Sequence, residues 1–289
     1  MAGEANGYFG PESITWRLYR EPIFLFGGMR ALLLQIAHPS VADGVARYSN
    51  FKADPFGRGY RTFAAMATIY FGTKEQAEKT AKRLQQLHAG IRGELPQAYT
   101  ANDPELLLWV FATLTDTTLQ TYSNMPLRDL PADWKERFYE ESKTPAALLG
   151  IPEGLYPPDL PAFKRYFSGM LESGLLGSAP VCREVAMSIV GHPRVPARLG
   201  LLLASGWLPP SLCEKLGLPV SNQPTERLAR WLRRAYQVYR CIPRSLRQNP
   251  AYHQAMYRLA KASGEKPALA ARFYHFLGKR WRIPLALPA

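Results

Sequence analysis

Five histidines are the best candidates in this 289-residue chain for binding a metal, and one of them has the setting of a cofactor ligand. They are His38, His88, His192, His253 and His275. On a helix, Ala81, Leu84 and Ile91 share one face with His88. An imidazole on an apolar wall beside small residues suits the proximal ligand of a haem. The same spacing also describes a structural histidine in a core, and both interpretations stay open at this point.

A second cluster of polar side chains, Arg58, Arg61 and Thr62, precedes His88 in the chain. On a helix, Arg58 and Thr62 lie one turn apart on the same face, with Arg61 beside them. Two guanidinium groups and a hydroxyl suit a pair of carboxylates such as the propionates of a haem. The alternative is a solvated helix face that pairs with Asp54 or a nearby acid.

His38 and Asp43 form a third candidate group. His38 stands before Pro39 at the end of the apolar run ALLLQIA, and a residue before proline avoids the α conformation. A helix is therefore expected to end at His38, which either caps it or faces a pocket on the distal side of a cofactor. Asp43 is the nearest acid, so both residues are candidates for handling protons.

Several common chemistries lack their sequence signatures. There is no H-E-x-x-H or H-x-H pattern for zinc or non-haem iron, and no G-x-S-x-G, Walker or G-x-G-x-x-G motif. Cys182, Cys213 and Cys241 are far apart and odd in number, which favours reduced thiols over a zinc site or a disulfide framework.

The chain reads as helical almost throughout. Thr73 and Gln76 form a capping-box pattern, and Gly93 is a plausible end for the helix that carries His88. Asp54-Pro55 and Asp103-Pro104 are two further helix starts. Other helices are predicted at 133–149, 159–173, 179–190, 196–205, 225–239 and 250–262. The fold class is therefore all-α, with residues 1–289 forming a single globular multi-helix domain.

Composition limits the location of the protein. Hydrophobic residues make up 47% of the chain, enough for a sizeable core. No run of apolar residues is long enough to span a membrane, and the first residues show no secretory signal. We therefore expect a cytoplasmic protein.

The basic character is concentrated in residues 224–289, which hold fourteen Lys and Arg against two Asp and Glu, with aromatic residues interleaved. Such a surface suits nucleic acid, anionic lipid or an acidic partner, or is a solvated face above core aromatics. The predicted helix at 225–239 places Leu228, Trp231 and Leu232 on one side with arginines at its edges. This pattern favours peripheral contact with an anionic membrane over reading of nucleic acid.

The candidate residues fall within a series of motifs that resembles the catalytic domain of the latex clearing protein (rubber oxygenase) and MpaB-type oxygenases. The motifs are TWRLYREP (Thr15–Pro22), LLLQIAHPSVADGV (Leu32–Val45), YSNFKADPFGRGYRT (Tyr48–Thr62), IYFGTKEQA (Ile69–Ala77), LHAGIRG (Leu87–Gly93), YTANDPELLLWV (Tyr99–Val110) and LLGIP (Leu148–Pro152). The resemblance covers about residues 14–186 and is specific because it is long and ordered.

The resemblance implies an all-helical fold that encloses a b-type haem. It places the proximal histidine, and so the metal ligand, on His88, and the arginine and threonine of the haem environment on Arg58 and Thr62. A lysine that approaches the iron in the latex clearing protein is replaced here by Arg61, which cannot act as a neutral ligand. A glutamate proposed as a base has no clear counterpart, and Asp43 is only nearby.

The function expected from the resemblance is that of an enzyme, a haem-dependent oxygenase. It would use O2 or a peroxide to oxidise a small apolar substrate, in the sharpest version at a C=C bond of an isoprenoid or lipid. Two alternatives belong to other classes: a non-catalytic haem-binding sensor or carrier, and a helical nucleic-acid-binding protein that uses the basic C-terminal region.

Overall fold

The structure, a computed structural model, describes most of the chain. The described residues are 6–21, 23, 27–49, 55–124, 130–192, 207–220, 230–231, 234–239 and 241–281, without the side chains of 55–58, 124 and 279–281. The predicted helix at 196–205 and much of the one at 225–239 lie outside these ranges.

Helices form nearly all of the regular structure in the described residues, which confirms the predicted all-α class. They are α1 (Ile14–Tyr19), α2 (Gly28–Ala37), α3 (Pro39–Tyr48), α4 (Pro55–Phe71), α5 (Lys74–His88), α6 (Pro104–Asn124), α7 (Ala132–Leu148), α8 (Leu160–Glu172), α9 (Pro180–Val190), α10 (Pro210–Lys215), α11 (Arg244–Arg247), α12 (Pro250–Ala262) and α13 (Leu269–Trp281). A short antiparallel hairpin of β1 (Arg92–Gly93) and β2 (Tyr99–Thr100) stands between α5 and α6 and pairs Gly93 with Tyr99.

Helix α5 begins where the capping pattern predicts. The Thr73 hydroxyl accepts from the Gln76 backbone N–H at 3.2 Å, and the Gln76 side chain accepts from the Thr73 N–H at 3.0 Å. Two backbone donors that the first helical turn leaves without partners are satisfied in this way. The predicted end at Gly93 is wrong, because α5 stops at His88 and the chain turns into the hairpin.

The buried core lies around α2 and α6. The Trp109 indole donates to the Leu34 carbonyl at 3.1 Å, and the Trp16 indole donates to the Tyr70 carbonyl at 2.7 Å. Both indoles are almost fully buried, so these bonds satisfy polar atoms that water cannot reach. The first bond fixes α6 against the C-terminal part of α2.

The junction between α2 and α3 is sharp. As predicted, α2 ends before His38, whose backbone is extended with φ −74° and ψ 125°, and α3 then starts at Pro39. The Ala37 carbonyl, which lost its helical partner there, accepts from the Gly177 N–H at 2.7 Å. The turn therefore lets α3 pack between α9 and the β1–β2 hairpin.

None of the three cysteines is in a disulfide in the structure, and Cys182 and Cys213 are buried while Cys241 is exposed. Among the described residues, no helix is both long and apolar enough to cross a bilayer.

Replacing Thr73 by Ala tests how strongly the capping box holds α5. We expect the free energy of unfolding to fall by about 1 kcal/mol, since the Gln76 backbone N–H loses the hydroxyl that accepts from it. Chemical denaturation monitored by circular dichroism measures this change. The matched control is Thr80→Ala inside the same helix, expected to be neutral or slightly stabilising because alanine favours helix. Equal effects of the two substitutions would contradict the capping role.

Candidate functional site

A cavity of about 240 Å³ lies where α2, α3, the end of α5, the hairpin and the start of α6 meet. Its walls are formed by Gln35, Ser40, Val41, Gly44, Val45, Tyr48, Ser49, His88, Ile91, Tyr99, Ala101, Leu106, Leu107 and Val110. Helices α3 and α6 contribute aliphatic side chains to this wall. His88 is the one histidine among these lining residues.

The helical face that carries His88 determines where its imidazole lies. Ala77 and Ala81 on that face are buried, and Leu84 is partly buried, which agrees with the periodicity seen in the sequence. His88 is partly buried at the last turn of α5 and so reaches the cavity at the helix end. The combination is an imidazole on a predominantly apolar wall.

A buried carboxylate stands behind this cavity. Asp43 is 5% exposed, and its two oxygens accept from Arg47 Nε at 2.7 Å and from the Tyr99 hydroxyl at 2.8 Å. Tyr99 lines the cavity, whereas Asp43 is not among the residues that line it. Tyr99 therefore stands between the cavity and the carboxylate that the sequence singles out.

The Tyr99 hydroxyl keeps its proton in this setting. Burial, followed by the hydrogen bond to Asp43, raises the pKa of Tyr99 well above its ordinary value. The phenol is thus a neutral donor whose bond points to Asp43. The sequence analysis assigned no role to Tyr99, and the only signal there was its place as the first residue of the motif YTANDPELLLWV.

Gly93 makes the close approach of Asp43 and Tyr99 feasible. A Cβ atom at this position would overlap Asp43 Oδ2 and would lie 2.6 Å from Tyr99 Cε1. Since Gly93 pairs with Tyr99 in the hairpin, a larger residue cannot be fitted without moving the tyrosine or the carboxylate.

His38 is buried, with 8% of its surface exposed, and its Nδ1 has no hydrogen-bond partner among the described residues. Its backbone forms the junction of α2 and α3, but its side chain makes no capping bond. The predicted capping therefore involves the backbone alone. Burial lowers the pKa of His38 from 6.5 to about 4, so its imidazole is neutral at ordinary pH.

The arginine and threonine candidates lie on α4. Arg61 and Thr62 are exposed, and the Arg58 side chain is outside the described residues. None of the described α4 side chains lines the cavity. Helices α4 and α5 pack together across the short Gly72–Thr73 connection, so they run antiparallel.

The antiparallel pair brings two parts of the sequence to the same end. Arg58 is fourteen residues before Gly72, and His88 is fifteen after Thr73. At about 1.5 Å of rise per residue, both backbone positions are about 21–23 Å from the connection. The N-terminal part of α4 and the last turn of α5 therefore lie at the same end of the helix pair.

The donor set of the cavity fits a haem in type. Within the described parts of the chain, no group of three or more His, Cys, Asp and Glu side chains is placed to hold a metal ion. A haem needs one protein imidazole and an apolar wall, and His88 with its aliphatic neighbours provides both. The volume is below the range of about 300–1,000 Å³ usual for ligand sites, so a haem would extend beyond the cavity.

Comparison with known families identifies the class of protein. Residues 16–241 match the family described as "ER-bound oxygenase mpaB/B'/Rubber oxygenase, catalytic domain", and the chain belongs to this family. The family is one of oxygenase catalytic domains, which confirms the resemblance and extends it beyond residue 186.

Two mycobacterial relatives are also similar to this chain. The uncharacterised protein Rv2237 of Mycobacterium tuberculosis is 30% identical over 216 residues, which cover 70% of this chain and 82% of the relative. The uncharacterised protein Mb2261 of Mycobacterium bovis matches with the same identity and coverage. No solved structure matches the chain significantly.

Gly93→Ala tests the close packing behind the cavity. We expect it to lower the free energy of unfolding by about 1–3 kcal/mol, because the added methyl group must displace Tyr99 or Asp43. The matched control is Gly90→Ala, where an added Cβ meets nothing within 4 Å. Thermal or chemical denaturation compares the two, and similar stabilities of the two variants would contradict the packing argument.

His38 should make stability depend on pH in the acid range. The unfolded chain takes up a proton near pH 6.5 and the folded chain only near pH 4, so stability present above 6.5 is lost as the pH falls between these values. His38→Gln should lose less stability over this window than the unchanged protein. Denaturation curves at several pH values measure the difference, and parallel losses in both proteins would refute a buried neutral imidazole.

Proposed function

We propose that the protein is a haem-dependent oxygenase in which His88 is the only protein-derived axial ligand of a b-type haem. The observation that carries the proposal is the single imidazole at an apolar cavity inside an oxygenase catalytic domain. A haem bound there supplies iron for one-electron and O2 chemistry. The protein residues hold the group, position the substrate and handle protons.

Helices α4 and α5 are proposed to hold different parts of the cofactor, α5 the iron and α4 the propionates. His88 offers its imidazole from the last turn of α5, and its second ring nitrogen needs a hydrogen-bond partner to fix the tautomer. Arg58 and Thr62 are proposed to meet the propionates, with Arg61 beside them or at the distal side. The antiparallel packing of α4 on α5 supports this, since it brings the Arg58 and His88 backbones to the same end of the pair.

The cavity walls favour an apolar substrate. Val41, Val45, Leu107 and Val110 offer dispersion contacts to a hydrocarbon chain. No Lys or Arg is among the described residues that line the cavity, so an anionic substrate would gain no charge pairing from them. We propose oxidation by O2 or a peroxide at a C=C bond of an isoprenoid or other lipid.

Asp43 and Tyr99 are proposed to handle protons at the cavity. The Tyr99 hydroxyl lies at the wall and donates to Asp43, and Arg47 holds the other carboxylate oxygen. A proton that leaves or enters the cavity can pass through the phenol to the carboxylate. His38, buried and neutral, is a second candidate acceptor near Gln35 of the wall.

Two positions of this chain differ from the latex clearing protein and limit the substrate that we propose. At the first, Arg61 replaces a lysine; it stays charged and cannot bind iron as a neutral amine, which leaves His88 as the proposed protein ligand. The carboxylate near the cavity is the shorter Asp43 and acts through Tyr99. We therefore propose an apolar isoprenoid or lipid and do not extend the proposal to polyisoprene itself.

His88→Ala tests the proposal directly. We expect the unchanged protein to bind haem and show a Soret band, and the variant to lose most of the bound haem, because its axial nitrogen is gone. Absorption spectra and haem content after reconstitution measure this. The matched control is His275→Ala on α13, outside the family match, which should bind haem normally.

A second measurement separates an enzyme from a haem carrier. The reduced, haem-loaded protein is exposed to air with candidate alkenes, and oxygenated products are analysed by mass spectrometry. Product that depends on haem supports the oxygenase, whereas haem binding without product favours the non-catalytic alternative. Normal haem content in His88→Ala would contradict the ligand assignment.

A further inference from the structure

Helix α13 carries an exposed apolar stripe that the proposed oxygenase site does not use. Leu269 is 80% exposed, Phe273 50% and Phe276 56%. These residues are spaced by four and three positions, so they share one face of the helix. Single exposed apolar residues are normal on a protein surface, whereas a contiguous row of them marks an interaction site.

Aromatic contacts on the other side of α13 fix which face is outward. The Tyr274 ring stacks on His253 of α12 with centroids 4.7 Å apart, and the His275 ring stacks on Tyr257 at 3.8 Å. Ala271 is buried at the same interface. Packing of Tyr274 and His275 on α12 therefore fixes the rotation of α13 about its axis, with the stripe facing outward.

Helix α11 also contacts α12. His253 Nε2 is 3.1 Å from the Ser245 carbonyl, so α11 and α13 both contact this one residue of α12. We call Leu269, Phe273 and Phe276 the C-terminal apolar surface.

Cations accompany this surface. Arg244, Lys261, Lys266 and Arg272 are exposed on α11, α12 and α13 or their connections. From residue 230 to 281 the chain contains a single acid, Glu265. The apolar side chains are therefore set within a strongly positive field, which attracts an anionic surface.

We propose that the C-terminal apolar surface is a peripheral docking site for an anionic lipid membrane. Phosphate and carboxylate groups of lipids complement the cations, and the acyl region accepts Leu269, Phe273 and Phe276. Nucleic acid would also complement the charge, but it stacks on aromatic rings and offers little to an exposed leucine. The mixture of aliphatic and aromatic side chains therefore favours lipid.

The residues of this surface differ from the stripe that the sequence pattern predicts on the helix at 225–239. Trp231 of the predicted 225–239 stripe is partly buried and packs against the core, and Leu228 and Leu232 lie outside the described residues. The docking surface is thus assigned to α13, which lies beyond the part of the chain that matches the oxygenase family.

Co-sedimentation of the full chain with vesicles tests the proposal. We expect binding to phosphatidylcholine vesicles that contain phosphatidylserine, weaker binding when salt is added, and little binding to phosphatidylcholine alone. The double variant Phe273→Ser/Phe276→Ser should bind at least about tenfold more weakly, since it loses two inserted rings. Lys266→Glu/Arg272→Glu should weaken binding similarly.

Two control variants make the same kinds of substitution at exposed positions away from α13. Met187→Ser removes an apolar side chain that is 45% exposed on α9, and Lys164→Glu/Arg165→Glu reverses two exposed cations on α8. Both should bind vesicles as the unchanged protein does, and circular dichroism should show the same helix content for all variants.

Several results would overturn the proposal: no vesicle binding, equal binding to neutral and anionic vesicles, or full binding by the Phe273/Phe276 variant. Salt-sensitive binding of duplex DNA without vesicle binding would also overturn it in favour of a nucleic-acid surface. The assay needs neither haem nor substrate. Absence of vesicle binding would therefore not contradict the proposed oxygenase, and absence of haem binding would not contradict the proposed docking surface.

Discussion

The buried carboxylate of Asp43 is the constraint around which the candidate site is organised. A carboxylate removed from water is costly unless charged or polar hydrogen bonds replace its hydration. Here Arg47 and Tyr99 each serve one of its oxygens, and Tyr99 comes from the hairpin between α5 and α6. Satisfying this one group therefore ties α3 to the hairpin and places the phenol at the cavity wall.

The rest of the site follows from where the hairpin lies. Because α5 ends at His88 and the chain turns directly into β1, the imidazole and Tyr99 face one cavity from adjoining elements. Aliphatic residues of α3 and α6 close the remaining wall. The proposed oxygenase would use this division, with His88 as the metal ligand, Tyr99 as the proton-handling group and the aliphatic wall as the substrate contact.

Local rules predicted much of the fold. The Thr73–Gln76 capping box, the helix end at His38-Pro39 and the helix at 250–262 all appear as predicted, since each depends on neighbouring residues. The end of α5 was misplaced by five residues, because Gly93 looked like a helix stop. Its true role is to leave room for Asp43 and Tyr99, a contact between distant residues that spacing cannot reveal.

The candidate site was predictable only in part. His88 stood out through its apolar helix face, and the structure places it at a cavity. Tyr99 was missed because its importance comes from a partner 56 residues away. The roles of Arg58, Arg61 and Thr62 remain proposals, supported by the antiparallel packing of α4 on α5 and not by a described side-chain contact.

The central claim is that this cavity holds a haem through His88. A crystal structure of the haem-reconstituted protein, with the iron located by its anomalous scattering, tests it most directly. We predict one iron within bonding distance of the His88 imidazole and a propionate near Arg58. An iron bound by another side chain, or a haem outside this cavity, would contradict the account.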